Sequence, residues 1–178
     1  PGVLVNNAGV GQWGPYLELD EERELDMLRL NMEALTQLTR RLLPAMATAG
    51  RGYVLNVASV ASFLPGPLMT GYYATKAYVL SYSEALGHEL AESGVTVTCL
   101  CPGPTRTGFQ SRAGMERVRI PGMMPSGTVA RAGVEGLFRG RRLVVPGLMN
   151  KLLVHAPRFL PRSLTPILVA RVQRARGT

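Results

Sequence analysis

The chain is predicted to be an α/β domain on a parallel sheet, and three observations carry that prediction. Val3-Leu4-Val5 and Tyr53-Val54-Leu55-Asn56-Val57 are continuous apolar runs rather than alternating ones, as suits strands buried on both faces. The stretches between such runs repeat apolar residues at helical spacing, and each run ends at a loop or turn residue. Strand, helix, strand, helix, strand, helix, strand is the alternation of right-handed crossover units on a parallel sheet.

Taken in order, Val3-Leu4-Val5 runs into Asn6-Asn7-Ala8-Gly9 and a loop. Asp20 has the place of an N-cap, with Glu21 and Glu22 in the first turn. Leu25, Leu28, Met32, Leu35, Leu38 and Leu42 then predict one long helix to about Met46. Gly50 and Gly52 close it before the second strand, which ends near Ser59. Phe63-Leu64-Pro65-Gly66-Pro67 is a loop, since its prolines suit neither a helix interior nor a central strand. A helix follows from about Gly71 to Ser93, Gly94 ends it, and Val95 to Leu100 is a β-branched third strand stopped by Pro102-Gly103-Pro104. Residues 104 to 125 predict a mobile loop with a short helical piece, 127 to 139 a further helix, and Leu143-Val144-Val145 a short strand. The remainder is basic and amphipathic, broken at Pro157, Pro161 and Pro166.

The composition of 178 residues, with 46% hydrophobic and 18% charged, is that of a domain with a sizeable core. No apolar run reaches the roughly 20 residues of a membrane-spanning helix, and the expected setting is cytoplasmic. Cys99 and Cys101 alternate on one strand face, pointing in parallel, and are expected as buried free thiols rather than a disulfide or a metal pair. Residues 1 to 111 hold seven Lys/Arg against ten Asp/Glu, whereas 112 to 178 hold thirteen against two. That basic third carries no aromatic interleaving, so no nucleic-acid partner is expected.

The candidate chemistry lies between Ser59 and Lys76. Tyr72 and Lys76 are four apart on a predicted helix and share one face, while Ser59 ends the strand before them. A free phenol titrates near 10 and is a reluctant base at neutral pH. An ammonium about 4 Å away, at an effective dielectric near 20, is worth roughly 4 kcal/mol, or about three pKa units, which would bring Tyr72 near neutrality. Read singly, Ser59 is a strand-end cap, Asn31 a polar residue inside a helix and Tyr72 a helix-start aromatic. Asn7, Ser59 and Pro102-Gly103 each fall at the carboxyl end of a different strand, where parallel sheets bind ligands.

Asn6-Asn7-Ala8-Gly9, Asn31, Ser59, Tyr72-x-x-x-Lys76 and Pro102-Gly103-x-x-x-Thr107 together, in this order and spacing, resemble the short-chain dehydrogenase/reductase family. The resemblance implies a partial Rossmann-type doubly wound parallel sheet, beginning at the family's fourth strand, with the first βαβαβ half missing and the first strand left as an exposed hydrophobic edge. Residues 1–147 would be the later part of the catalytic domain, and 148–178 a basic amphipathic segment of the same domain. The implied reaction is hydride transfer between NAD(P)(H) and a carbonyl or alcohol.

In that reading Tyr72 is the general acid/base, Lys76 tunes it and holds the nicotinamide ribose, Ser59 fixes the substrate oxygen, and Asn31 holds a water leading from Lys76 to solvent. Asn7, Ala8, Gly9, Pro102, Gly103, Thr105 and Thr107, with Tyr72 and Lys76, are the implied cofactor contacts. NADP is placed ahead of NAD, the residue that selects between them not being in this sequence, and no metal is expected. The family resemblance further implies a small hydrophobic substrate, suggested by Trp13, Phe63, Leu64, Met69 and Phe109, and self-association through helices 20–46 and 71–93. The alternative is a catalytically incompetent fragment acting only through those helices. For residues 148–178, packing over the pocket or against a partner subunit is expected ahead of contact with a membrane surface.

Overall fold

A computed structural model describes residues 2–118 and 120–177; Pro1, Arg119, Thr178 and the side chain of Arg158 lie outside the described residues. Val3–Asn6 forms β1. The long helix predicted from Asp20 is present as α1 (Glu21–Leu28), a π-helical segment (Arg29–Ala34) and α2 (Leu35–Thr48). Asp20 caps it as expected, its carboxylate accepting from the Arg23 amide at 2.9 Å. The π segment does not follow from propensity. Such a turn re-aims the residues it contains, and here it contains the buried Asn31.

β2 (Gly52–Val57) leads through a short 3₁₀ turn (Val60–Phe63) to α3 (Thr70–Glu89), which stops a turn earlier than predicted, and then to β3 (Val95–Leu100). The loop at 104 to 125 contains two short strands, β4 (Thr105–Arg106) and β5 (Met124–Pro125), which pair in parallel, and the expected helical piece, α4 (Phe109–Arg112). α5 (Ser126–Phe138) and β6 (Leu143–Val144) follow, then α6 (Leu148–His155) and α7 (Thr165–Gly177). None of the described helices is long and apolar enough to cross a membrane.

The main sheet is parallel, in the order β1-β2-β3-β6. Alternate strand residues face opposite sides. On one face Leu4, Val54 and Val97 pack against Met46 and Leu42 of α2 and Leu86 of α3. On the other, Leu55 and Leu100 pack against Val129 and Leu137 of α5. Since the order advances in one direction while the connecting helix changes face, the β3-α5-β6 crossover has the opposite hand to the first two. The expectation of uniformly right-handed units therefore fails at the last step. β1 is an edge strand, as expected, and Val3 and Val5 are 44% and 52% exposed on the face that carries α5.

The face under α2 and α3 also contains a polar seam. Asn6 Nδ2 donates to Asn56 Oδ1 (2.8 Å) and Thr39 Oγ1 (3.1 Å), and Asn56 Nδ2 donates to Ser83 Oγ (2.9 Å). Such a seam fixes the register of helices on the sheet, because a slip would leave buried amides unpaired.

Candidate active site

The carboxyl ends of β1, β2 and β3 bring Gly9, Ser59 and Pro102-Gly103 to one side of the sheet, and the amino end of α3 brings Tyr72 and Lys76 to meet them. Lys76 is 5% exposed. Its Nζ donates to the Val57 carbonyl at 2.8 Å and lies 5.8 Å from the centroid of the Tyr72 ring. A β-carbon placed on Gly9 would come within 3.2 Å of both Lys76 Nζ and Asn31 Oδ1. Glycine there allows the strand end to close over the ammonium. Asn7 and Ala8 are exposed beyond it.

Asn31 is built into the scaffold. Its Oδ1 accepts from the Val10 amide (3.0 Å), and its two amide hydrogens go to the Val10 carbonyl (2.9 Å) and Thr75 Oγ1 (3.0 Å). Thr75 Oγ1 in turn donates to the Tyr72 carbonyl at 2.8 Å. Both amide hydrogens and one of the two lone pairs of Oδ1 are thus used. Asn31 ties the end of β1 to the turn of α3 that carries Tyr72. Thr75 and Val10 were not singled out in the sequence, which contains no local signal for a contact spanning 21 or 44 residues.

Ser59 does cap the turn after β2, its Oγ accepting from the Ala61 amide at 3.1 Å, and its hydroxyl also acts on the Tyr72 phenol. The phenol itself differs from expectation. Burial pushes it up to about 12, with Ser59 pulling the other way and Tyr73 and Cys101 adding to the rise. Burial likewise lowers the Lys76 ammonium to about 8, offset in part by Cys99 and Cys101. The depression of Tyr72 expected from Lys76 is absent because the ammonium is turned onto the Val57 carbonyl, and desolvation dominates both groups. At neutral pH the pair is a neutral phenol beside a charged ammonium.

Gly103 is buried, and a β-carbon on it would fall 2.3 Å from Asn150 Oδ1. Asn150, whose Nδ2 donates to the Pro146 carbonyl at 2.7 Å, is a supporting residue that sequence reading missed. Thr105 Oγ1 donates to the Gly103 carbonyl (2.9 Å), so the turn after β3 is internally braced. Thr107 is exposed and accepts from the Phe109 amide at 3.2 Å. Cys99 and Cys101 are buried free thiols, as expected, with sulfurs 3.7 Å apart.

An apolar cluster covers the phenol. Phe109 lies 5.1 Å from the Tyr72 ring, centroid to centroid, and Met69, Ala113, Met115 and Trp13 pack around them. The loop is fastened across this cluster by the Trp13 amide donating to the Ala113 carbonyl (3.0 Å) and Arg23 Nη2 donating to the Arg112 carbonyl (2.8 Å). Two surface clefts, of about 540 and 380 Å³, lie elsewhere, along α1 and α2 and between Pro67 and α7.

Comparison with known proteins identifies the family. Residues 2–117 match the sequence pattern of the short chain dehydrogenase family. A very-long-chain 3-oxoacyl-CoA reductase of Laccaria bicolor is 39% identical over 98 residues, which is 54% of this chain and 29% of that protein. Dehydrogenase/reductase SDR family member 4 of Bos taurus is 37% identical over 108 residues, 60% of this chain and 39% of that protein. The chain therefore spans well under half the length of these curated relatives. Among solved structures, a short-chain dehydrogenase from Sphingobium yanoikuyae in complex with NADPH superposes with a TM-score of 0.80 at 34% identity, covering 88% of this chain and 61% of that one. One from Burkholderia cenocepacia in complex with NADP gives 0.78 at 28% identity, covering 95% and 69%. With the family pattern over residues 2–117 and the α/β fold in agreement, the chain belongs to the short chain dehydrogenase family.

Proposed function

We propose that this chain carries the proton-transfer half of an NAD(P)-dependent carbonyl reductase. The single observation that carries the reading is the convergence of Ser59, Tyr72 and Lys76 at the strand ends, with Tyr72 a neutral acid and Lys76 a buried cation. At neutral pH the buried phenol, raised to about 12, is protonated and so has a proton to hand to a carbonyl oxygen. Ser59 holds that oxygen by its hydroxyl, and Asn31 and Thr75 keep α3 in register so that the phenol meets it.

The residues present fit a nicotinamide ribose and ring. Gly9 leaves room for close backbone approach beside Lys76 Nζ, and Pro102, Gly103 and Thr105 form a braced turn on the other side. Asn7 and Ala8 at the end of β1, and Thr107 past the turn, extend the same surface. When bound, the cofactor supplies the hydride; the chain's own groups supply and position the proton. The structural neighbours that hold NADPH and NADP support NADP as the first cofactor to test. The apolar cover of Phe109, Met69 and Met115 favours a hydrophobic carbonyl, which reaches Tyr72 by displacing Phe109. Leu38 and Tyr78, exposed on α2 and α3, are the surface for self-association, with Tyr78 also stacked on Tyr82.

The test is NADPH binding by fluorescence titration and NADPH oxidation with a panel of apolar ketones. Tyr72→Phe is expected to keep cofactor affinity and lose roughly 10²- to 10⁴-fold in turnover. Unchanged turnover in that variant removes the proposal. Absence of NADPH binding, with self-association intact, favours the second reading, a non-catalytic unit associating through its helices; the open edge of β1 is the observation behind it.

A further inference from the structure

The last two helices turn most of their large apolar residues outward. α6 turns Asn150 and Val154 inward and Leu148, Met149, Leu152 and Leu153 outward, with Leu148 76% exposed. α7 buries Thr165 and Gln173, the latter donating to the Tyr73 hydroxyl at 2.9 Å, and presents Ile167, Leu168 and Val172 to solvent. Phe159, between the two helices, is 86% exposed. Apolar residues exposed together in this way mark a contact surface. The inward contacts of the segment are made by Asn150, Val154, Thr165 and Gln173, which leaves the other apolar residues named here without cover among the described residues.

Charge identifies the occupant. Residues 148–178 contain Lys151, Arg158, Arg162, Arg171, Arg174 and Arg176 and no Asp or Glu. Lys151, Arg162, Arg171 and Arg174 are exposed among the apolar residues just named. A two-fold contact of this face with itself in a second copy would set like charges against like. An anionic bilayer offers the opposite charge at its headgroups and an apolar layer just beneath them, which matches leucines and arginines on one surface. We propose that residues 148–178 dock this chain peripherally on an anionic lipid surface. The docking does not depend on the redox reading of the site.

The test is flotation of the full chain with vesicles, since bound protein rises with lipid and aggregated protein does not. Vesicles of phosphatidylcholine alone are compared with vesicles carrying about 30 mol% phosphatidylserine, in about 0.1 M and about 1 M salt. The chain is expected to float with the anionic vesicles at the lower salt and to be released at the higher. Arg171→Ser with Arg174→Ser is expected to weaken binding about thirtyfold, each cation near such a surface being worth about fivefold. Leu152→Ser with Phe159→Ser, both exposed positions, is expected to abolish flotation with the far-ultraviolet circular dichroism unchanged. The proposal is overturned by three results. One is no flotation at either composition, and another is equal flotation on neutral vesicles that ignores the arginines. The third is a dimer or a complex with an acidic protein that the Leu152 and Phe159 changes dissolve while vesicles bind nothing.

Discussion

The two faces of the main sheet begin with equally apolar strands and end in different conditions. Under α2 and α3, Val54 and Val97 are buried together with the Asn6-Asn56-Ser83 seam, and Lys76 and Asn31 are buried beyond it, bonded to Val57, Val10 and Thr75. Under α5, cover reaches Leu55 and Leu100 and stops, leaving Val3 and Val5 open and Phe138 58% exposed against Tyr53. The residues of the candidate site that need fixed positions lean on the first face. A buried cation or amide is sustained where neighbours exclude water and supply hydrogen-bond partners. Among the described residues the strands facing α5 bury the Thr98 hydroxyl, satisfied by the Arg141 carbonyl, but no cation or amide, and this face tolerates exposure.

The largest expected effect tests the buried cation itself. Lys76 has its pKa lowered by burial from 10.5 to about 8, so folding costs stability while the ammonium is charged in both states. Between about pH 8 and 10.5 the unfolded chain binds the proton and the folded chain does not, and stability rises with pH. Measured against Lys76→Met by urea denaturation, the native chain is expected to gain on the order of 2.5 kcal/mol from pH 7 to pH 10. Cys101, raised by its contact with Cys99 and by burial, and Tyr72, pushed up to about 12, work in the opposite sense once the unfolded thiol and phenol ionise, above about pH 9 and pH 10. Both groups are present in the Lys76→Met reference, so the difference between the two proteins reads Lys76. A flat difference across the window would mean that Lys76 is solvated and that the first face is not dry.

The second test sets the faces against each other directly. Val97→Ala, at a 3% exposed position, is expected to cost about 2 kcal/mol, two methyl groups of transfer free energy plus a cavity. Val5→Ala, on an edge strand facing solvent, is expected to cost less than about 0.5 kcal/mol. Equal costs would show that something covers Val5 in solution.

The parts of this arrangement that were legible in the sequence are local ones. Tyr72 and Lys76 share a helical face because they are four apart, Asp20 caps because a carboxylate precedes a helix, and the edge exposure of β1 follows from its place in the implied order. The rest depends on contacts distant in sequence. The π segment at Arg29–Ala34 is fixed by the Val10 and Thr75 bonds of Asn31, and Gly103 is explained by Asn150, neither of which any spacing announces. The pattern of α5 identifies an apolar stripe without saying which side of the sheet it will cover, so the hand of the last crossover was out of reach. Amphipathicity in residues 148–178 was readable, whereas the direction was not, because the polar Asn150 and Gln173 are the residues that found partners inside.

The smallest expected effect is the most local probe of the thinly covered face. Phe138 ends α5 and meets Tyr53 edge to face, with centroids 5.0 Å apart, at the margin of the cluster formed by Leu55, Leu100 and Leu137. An aromatic pair of this kind contributes about 0.5–1.5 kcal/mol beyond its area, and the exposed side of Phe138 contributes little more. Phe138→Ala is therefore expected to cost about 1 kcal/mol in urea denaturation. Amide exchange should quicken first at the end of α5 and around Tyr53, before β2 and β3 are affected elsewhere. If exchange instead rises together at Val54 and Val97, α5 supports both faces as one cooperative unit, and the contrast between them is one of composition rather than of stability.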